Sequence, residues 1–172
     1  MLDNLAIVLF QPKFPENIGA AARACVNMGC SELVVIGPKN WDMNRASALA
    51  TSKGQEVLRQ IKFEPDLPAA LCNFQITYGT TARIGGWRKG ILTPEQAAEK
   101  IVKSAQEGQK TAIVFGPEDK GLTNREIDIC GQLLTSPTAM EASSLNLAQA
   151  VLLVLYECMK KGLDKPFSPA EP

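Results

Sequence analysis

Histidine is missing from all 172 residues of the chain. No Ser-His-Asp or Cys-His arrangement, no imidazole proton shuttle and no His-held zinc can be built without it. Any chemistry falls to carboxylates, guanidinium and ammonium groups, hydroxyls, amides, thiols or a borrowed cofactor. Four stretches offer such groups. In Asn17-Ile-Gly-Ala-Ala-Ala-Arg23-Ala24, Arg23 is the one side chain with reach and charge among very small neighbours. Small residues let a backbone or a ligand come close; a tightly packed helix with a surface arginine is the plainer alternative. Gly116-Pro-Glu118-Asp-Lys-Gly121-Leu-Thr123 follows an apolar run and imitates a phosphate loop, but Leu122 stands where such a loop needs lysine. Ser143-Ser144-Leu145-Asn146 places two hydroxyls and an amide at the start of a helical pattern, where exposed N–H groups can hold a polar ligand. Residues 67–94 contain no Asp or Glu, and within them lies Arg83-Ile-Gly-Gly-Trp87-Arg88-Lys89. Three cations and an aromatic face on a glycine loop suit RNA, through phosphate contacts and a base stacked on Trp87. A solvated basic loop is the competing reading.

Composition narrows the field further. Lys+Arg and Asp+Glu are 18 each, so no global field draws the chain toward polyanions and the basic loop acts locally. Residues 116–172 lean the other way, with eight acids against five bases. The five cysteines (Cys25, Cys30, Cys72, Cys130, Cys158) are odd in number and form no C-x-x-C pair, as expected of free thiols in a reducing compartment. No metal site is expected. The start, MLDNLAIVLF, has no basic region ahead of its apolar run, and the longest strongly apolar stretch, Val151 to Tyr156, is far short of the ~20 residues of a membrane span. A soluble, cytoplasmic protein is expected, with no membrane association.

The elements that must position these groups alternate in kind. Residues Leu5–Phe10, Leu33–Ile36, Gln75–Gly79 and Thr111–Phe115 are short and almost continuously apolar, as strands covered on both faces are. Asn17 can cap a helix over Ile18–Met28, with Gly29 at its left-handed end and a site role for Asn17 as the sharper option. Thr93-Pro-Glu-Gln96 opens a helix running to about Glu107, and Thr123-x-x-Glu126 opens a short one ending near Gly131. Ser144 or Ser143 can cap the final helix, whose stripe of Leu147, Val151, Val154, Leu155 and Cys158 suits a core or a dimer interface. Strand alternating with helix predicts an α/β fold with a mainly parallel sheet. Residues 1–161 read as one domain and 162–172, with three prolines, as a tail or linker.

Taken together, Asn17–Ala24, Ile113–Glu126 and Ser143–Val151, with Gly79-Thr-Thr-Ala-Arg83 between the first two, are similar in order and separation to the motifs of the SpoU/TrmH family of SPOUT methyltransferases. The likeness is strongest to its TrmJ-like RNA ribose 2′-O-methyltransferases and spans about Leu5 to Lys160. The resemblance implies a deep C-terminal trefoil knot, an exception to the usual unknotted topology. It also implies S-adenosylmethionine held in that knot and a homodimer formed through the knot helices. The expected substrate is RNA lying across the dimer interface, with the tRNA anticodon loop the first choice. By position, Arg23 and Asn17 become a catalytic and site-building pair, Glu118 the carboxylate that orients Arg23, and Ser144 and Asn146 the hydroxyl and amide beside the ribose. Thr80, Thr81, Ala82, Gly116, Ser136, Ser143, Ser144 and Leu145 fall where the family contacts its cofactor. Ribosomal RNA is the rival substrate, and a non-catalytic RNA-binding protein of the same fold the rival class.

Overall fold

Six apolar residues in a row, Leu5–Phe10, form β1, and the computed structural model places them near the middle of a seven-stranded, wholly parallel sheet. The structure describes residues 2–83, 85–86, 89–163 and 168–169. Chain order continues with α1 (Pro15–Met28), β2 (Glu32–Ile36), α2 (Met43–Ala48), α3 (Ser52–Arg59), β3 (Lys62–Glu64) and α4 (Leu67–Leu71). There follow β4 (Ile76–Thr80), β5 (Ile91–Leu92), α5 (Pro94–Gln106), β6 (Thr111–Phe115), α6 (Asn124–Ile129), β7 (Gln132–Leu134) and α7 (Leu147–Gly162). The strands lie in the order β3-β2-β1-β6-β4-β7-β5.

Both faces of the sheet's centre are covered, which is why β1, β2 and β6 carry apolar runs without alternation. On one face Leu5, Ile7 and Leu9 of β1 pack with Ile18 and Cys25 of α1, Ile101 of α5 and Val151 and Leu155 of α7. On the other, Val8, Val34 and Val114 pack with Leu67 and Leu71 of α4 and Ile127 of α6. Gly19 lets α1 and α2 touch: a Cβ there would lie 1.8 Å from the Ala46 carbonyl oxygen.

Two helix starts differ from expectation. α1 begins at Pro15, with Phe14 as a cap lacking any side-chain bond, so Asn17 sits inside the first turn and is not the cap. Proline's fixed φ suits that first position, and the chain just ahead of it is held by an acid from elsewhere. α7 is capped by Asn146, whose Oδ1 accepts from the amides of Ala148 and Gln149 at 2.9 and 3.2 Å. Neither Ser143 nor Ser144 is the cap; both stay in the preceding loop. The capping boxes of Thr93 with Gln96 and Thr123 with Glu126 form as expected. α7 includes Gly162, one residue beyond the expected boundary, and the proline-rich tail falls mostly outside the described residues.

Candidate functional site

After β1, β2 and β3 build toward one edge, the chain crosses to the other side of β1, and β6 later fills the gap between β1 and β4. In open α/β sheets such a reversal leaves a crevice at the carboxyl ends of the strands. A cavity of about 340 Å³ lies at the ends of β4, β6 and β7, closed by the loop before α7. Thr80 lines it from the end of β4, Thr81 and Ala82 from the residues just after it, Gly116 from the residue after β6, Ser136 from the segment after β7, and Ser143, Ser144 and Leu145 from the loop leading to α7. All eight positions expected to contact a cofactor therefore meet at one place.

The local backbone explains why. The Thr80 hydroxyl donates to the Val114 carbonyl at 2.9 Å, and the Thr81 amide donates to the Leu134 carbonyl at 3.0 Å, tying the end of β4 to both neighbouring strands. Gly116 stands where its loop doubles back: a Cβ there would lie 2.3 Å from the Gly121 carbonyl carbon. Gly121 itself takes φ +65°, a conformation glycine adopts without penalty. The apolar wall of the cavity (Phe115, Leu122, Leu134, Leu147 and Val154) is not among the site residues expected from the sequence. Its signal lies in the last residues of apolar strands and in the i, i+7 stripe of α7.

Beside the cavity runs a chain of side-chain hydrogen bonds. Asn146 Nδ2 donates to Asn17 Oδ1 at 3.1 Å, and Asn17 Nδ2 donates to Glu118 Oε2 at 3.0 Å. Glu118 also accepts from the amides of Lys13 (2.8 Å) and Phe14 (3.0 Å), putting a carboxylate against the positive start of α1. The Lys13 ammonium bonds Asp119 at 2.6 Å and holds that carboxyl below its ordinary range. Three of the five expected catalytic residues are thus joined: the first turn of α1, the loop after β6 and the cap of α7.

Arg23 is not among them. It lies six residues beyond Asn17, roughly 9 Å along the helix axis, exposed and outside the cavity lining. Among the described residues no hydrogen bond or ion pair joins it to Glu118, whose oxygens are taken by the start of α1. Within one chain, therefore, Glu118 does not touch Arg23.

The basic loop also divides. Arg83 is exposed, and its Nη2 donates to Asn124 Oδ1 at 3.1 Å. Lys89, expected to meet RNA, instead turns its ammonium onto the carbonyls of Ile127 (2.7 Å), Asp128 (3.0 Å) and Cys130, at the negative end of α6. Trp87 and Arg88 lie outside the described residues. All five thiols are free; Cys72 is exposed and the other four are buried. Burial pushes the Cys130 thiol up to about 11 and the Cys158 thiol up to about 12. No group of three or more Cys, Asp or Glu among the described residues is placed to hold a metal ion, and no described helix is long and apolar enough to cross a membrane.

Fold and site define a class: residues 4–156 match the SpoU rRNA Methylase family, and the chain belongs to it. Within that family it is 33% identical over 170 residues to the TrmJ protein of Methanocaldococcus jannaschii, named a tRNA (cytidine-2′-O-)-methyltransferase. The alignment covers 97% of this chain and 72% of that one. It is 39% identical over 158 residues to a Haemophilus influenzae protein described as an uncharacterized tRNA/rRNA methyltransferase, covering 91% of this chain. The chain spans 63% of that relative's length. The crystal structure of TrmJ from Z. mobilis superposes with a TM-score of 0.83 at 41% identity, covering 95% of this chain and 72% of that one.

Proposed function

We propose that the protein transfers a methyl group from S-adenosylmethionine to a ribose 2′-hydroxyl of RNA, with tRNA, at its anticodon loop, as the substrate. The observation that carries this reading is the convergence of the family's three sequence blocks: Gly116, Ser143, Ser144 and Leu145 line the cavity, and Asn17, Glu118 and Asn146, one from each block, form a hydrogen-bonded chain beside it.

The cavity suits the cofactor in its chemistry. Phe115, Leu122 and Leu134 offer an apolar wall for a purine and thioether, and the hydroxyls of Thr81, Ser143 and Ser144 offer partners for a ribose and an amino acid end. Bound there, S-adenosylmethionine supplies a sulfonium-activated methyl, so the chain's task is mainly alignment. Asn146 and Asn17 fix the start of α7 to the start of α1, which sets Ser144 at the cavity mouth. Arg23 serves the hydroxyl as a cation that holds the oxygen and stabilises negative charge developing on it. A guanidinium is a donor without an acceptor lone pair and does not take the proton itself.

Arg23 does not reach the cavity of its own chain, which favours assembly of the site by two copies. α7 presents Leu152, Leu153 and Tyr156 at 37%, 44% and 45% exposure, an apolar face suited to a homodimer. We further propose that the segment between β7 and α7 carries the trefoil knot, that residues 162–172 form a linker, and that the enzyme works in the cytoplasm. A single species of monomer mass by light scattering at micromolar concentration would remove the two-copy site.

The deciding experiment supplies labelled S-adenosylmethionine with tRNA and rRNA pools from cells lacking this gene, then digests the RNA to nucleosides. Label recovered as a 2′-O-methylnucleoside from tRNA is the expected result. Label only in rRNA moves the substrate to the ribosome, and none in either pool removes the enzymatic reading.

A further inference from the structure

Continuous with the cavity, and sharing Arg83, Lys120 and Leu122 with it, lies a second, more open cleft completed by Thr123, Asn124 and Arg125. Three of its six lining residues are cations and none is an acid. Lys120 and Arg125 are exposed, and neither is in an ion pair among the described residues. The nearby acids have other partners: Asp119 pairs with Lys13 while also lying near Lys120, Glu118 serves the start of α1, and Glu126 the Thr123 capping box. Positive charge is therefore left in surplus at one edge of a chain whose net charge is zero.

Side chains flanking the cleft are bonded to both ends of α6. Arg83 is bound to Asn124 at the first residue of α6, and Lys89 is bound to the carbonyls at its last turn. Arg83 thus lines the cleft beside Lys120 and Arg125 while bonded to the start of α6. Two guanidinium groups and an ammonium match phosphate oxygens, and in this pattern they do not distinguish one base from another.

We propose that Arg83, Lys120 and Arg125 form a phosphate-binding track that leads the backbone of the RNA substrate into the cavity. This inference rests on the RNA methyltransferase reading above and assigns Lys120 and Arg125 a part in it. The track raises affinity and leaves choice of sequence to other contacts. Arg125 is the cleanest probe because it lines the cleft and not the cavity.

The experiment measures tRNA binding to the full chain by fluorescence anisotropy between about 50 and 200 mM salt, for the parent and for Arg125→Gln, Arg125→Lys and Lys120→Gln/Arg125→Gln. Removing one cation from a phosphate is expected to lower the slope of log affinity against log salt by about 0.7–0.9. Affinity should fall several-fold for tRNAs of any sequence, and Arg125→Lys should restore most of the slope. Calorimetry with S-adenosylmethionine alone is expected to give parental affinity for Arg125→Gln, and its thermal midpoint excludes misfolding. Parental slope and affinity in the double variant, from a parent that methylates tRNA, overturn the track and leave the function intact. A parent that neither binds nor methylates RNA overturns both.

Discussion

At the scale of single residues, the site divides into groups that hold one another and one that stands alone. Asn17, Asn146 and Glu118 are hydrogen-bonded in series, while Arg23 is exposed and outside the cavity. Arg23→Ala should therefore leave cofactor affinity at the parental value. It should lower the methyl-transfer rate by about 10²- to 10³-fold, the scale of losing one donor to a developing oxyanion. Equal rates for variant and parent in single-turnover assays would remove Arg23 from the chemistry. Glu118 has a structural share that Arg23 lacks. Glu118→Ala leaves the amides of Lys13 and Phe14 and the amide group of Asn17 without their acceptor. A cost of about 1–3 kcal/mol is expected, visible as a thermal midpoint lowered by about 2–4 °C per kcal/mol; an unchanged midpoint would show that water replaces the carboxylate. The types and order of these residues are legible in the sequence. Their wiring is not, because a carboxylate near α1 can serve an arginine or the helix start, and only the backbone geometry chooses.

Between residue and molecule, the elements tell which local signals survive tertiary packing. Gly29, Thr93 with Gln96 and Thr123 with Glu126 act as their sequence patterns say, since caps depend on neighbours three or four residues away. Asn17 and Ser144 have the chemistry of caps without the position, because α1 already starts at Pro15 behind Phe14 and Asn146 caps α7. α2, α3, α4 and the short strands β3, β5 and β7 are not legible in the sequence pattern. β5 spans two residues and β3 and β7 three, too few for any periodicity, and they exist through pairing with partners distant in sequence. Lys89 belongs to this scale. As a cation on three carbonyls at the end of α6, it contributes about 1–2 kcal/mol. Lys89→Met should lower the thermal midpoint while leaving the salt slope of RNA binding as in the parent; a reduced slope would return Lys89 to the RNA interface.

Over the whole molecule, the parallel sheet buried on both faces is the most legible property, because β1, β2 and β6 carry apolar runs without alternation. Strand order is not legible, since composition does not say which of several similar strands lie side by side. Dense burial has a titration consequence. Cys130 and Cys158 hold their protons to about 11 and about 12 in the folded protein, against 9.0 for an unperturbed thiol. Between those values the unfolded chain has lost protons that the native chain keeps, so stability falls as pH rises above 9.0 and is unaffected by these groups below it. Each thiol contributes a loss of up to about 1.4 kcal/mol per pH unit in that window. Urea midpoints on either side of pH 9.0 should show the decline, and Cys158→Ala should make it shallower. Midpoints that hold steady with pH would mean that water reaches these thiols.

The strand order also fixes a timetable. β1 is complete by Phe10 and gains β2 as a neighbour by Ile36, yet its other flank waits for β6, which begins at Thr111. Made by a ribosome at ~5–20 residues per second, the chain leaves that flank open for about 5–20 seconds. During that interval Leu-Ala-Ile-Val-Leu-Phe is an unpaired apolar edge, the kind of strand that recruits other chains. The nascent protein is therefore most in need of a holding chaperone while residues between β2 and β6 are being added, and that need ends when β6 slots in beside β1.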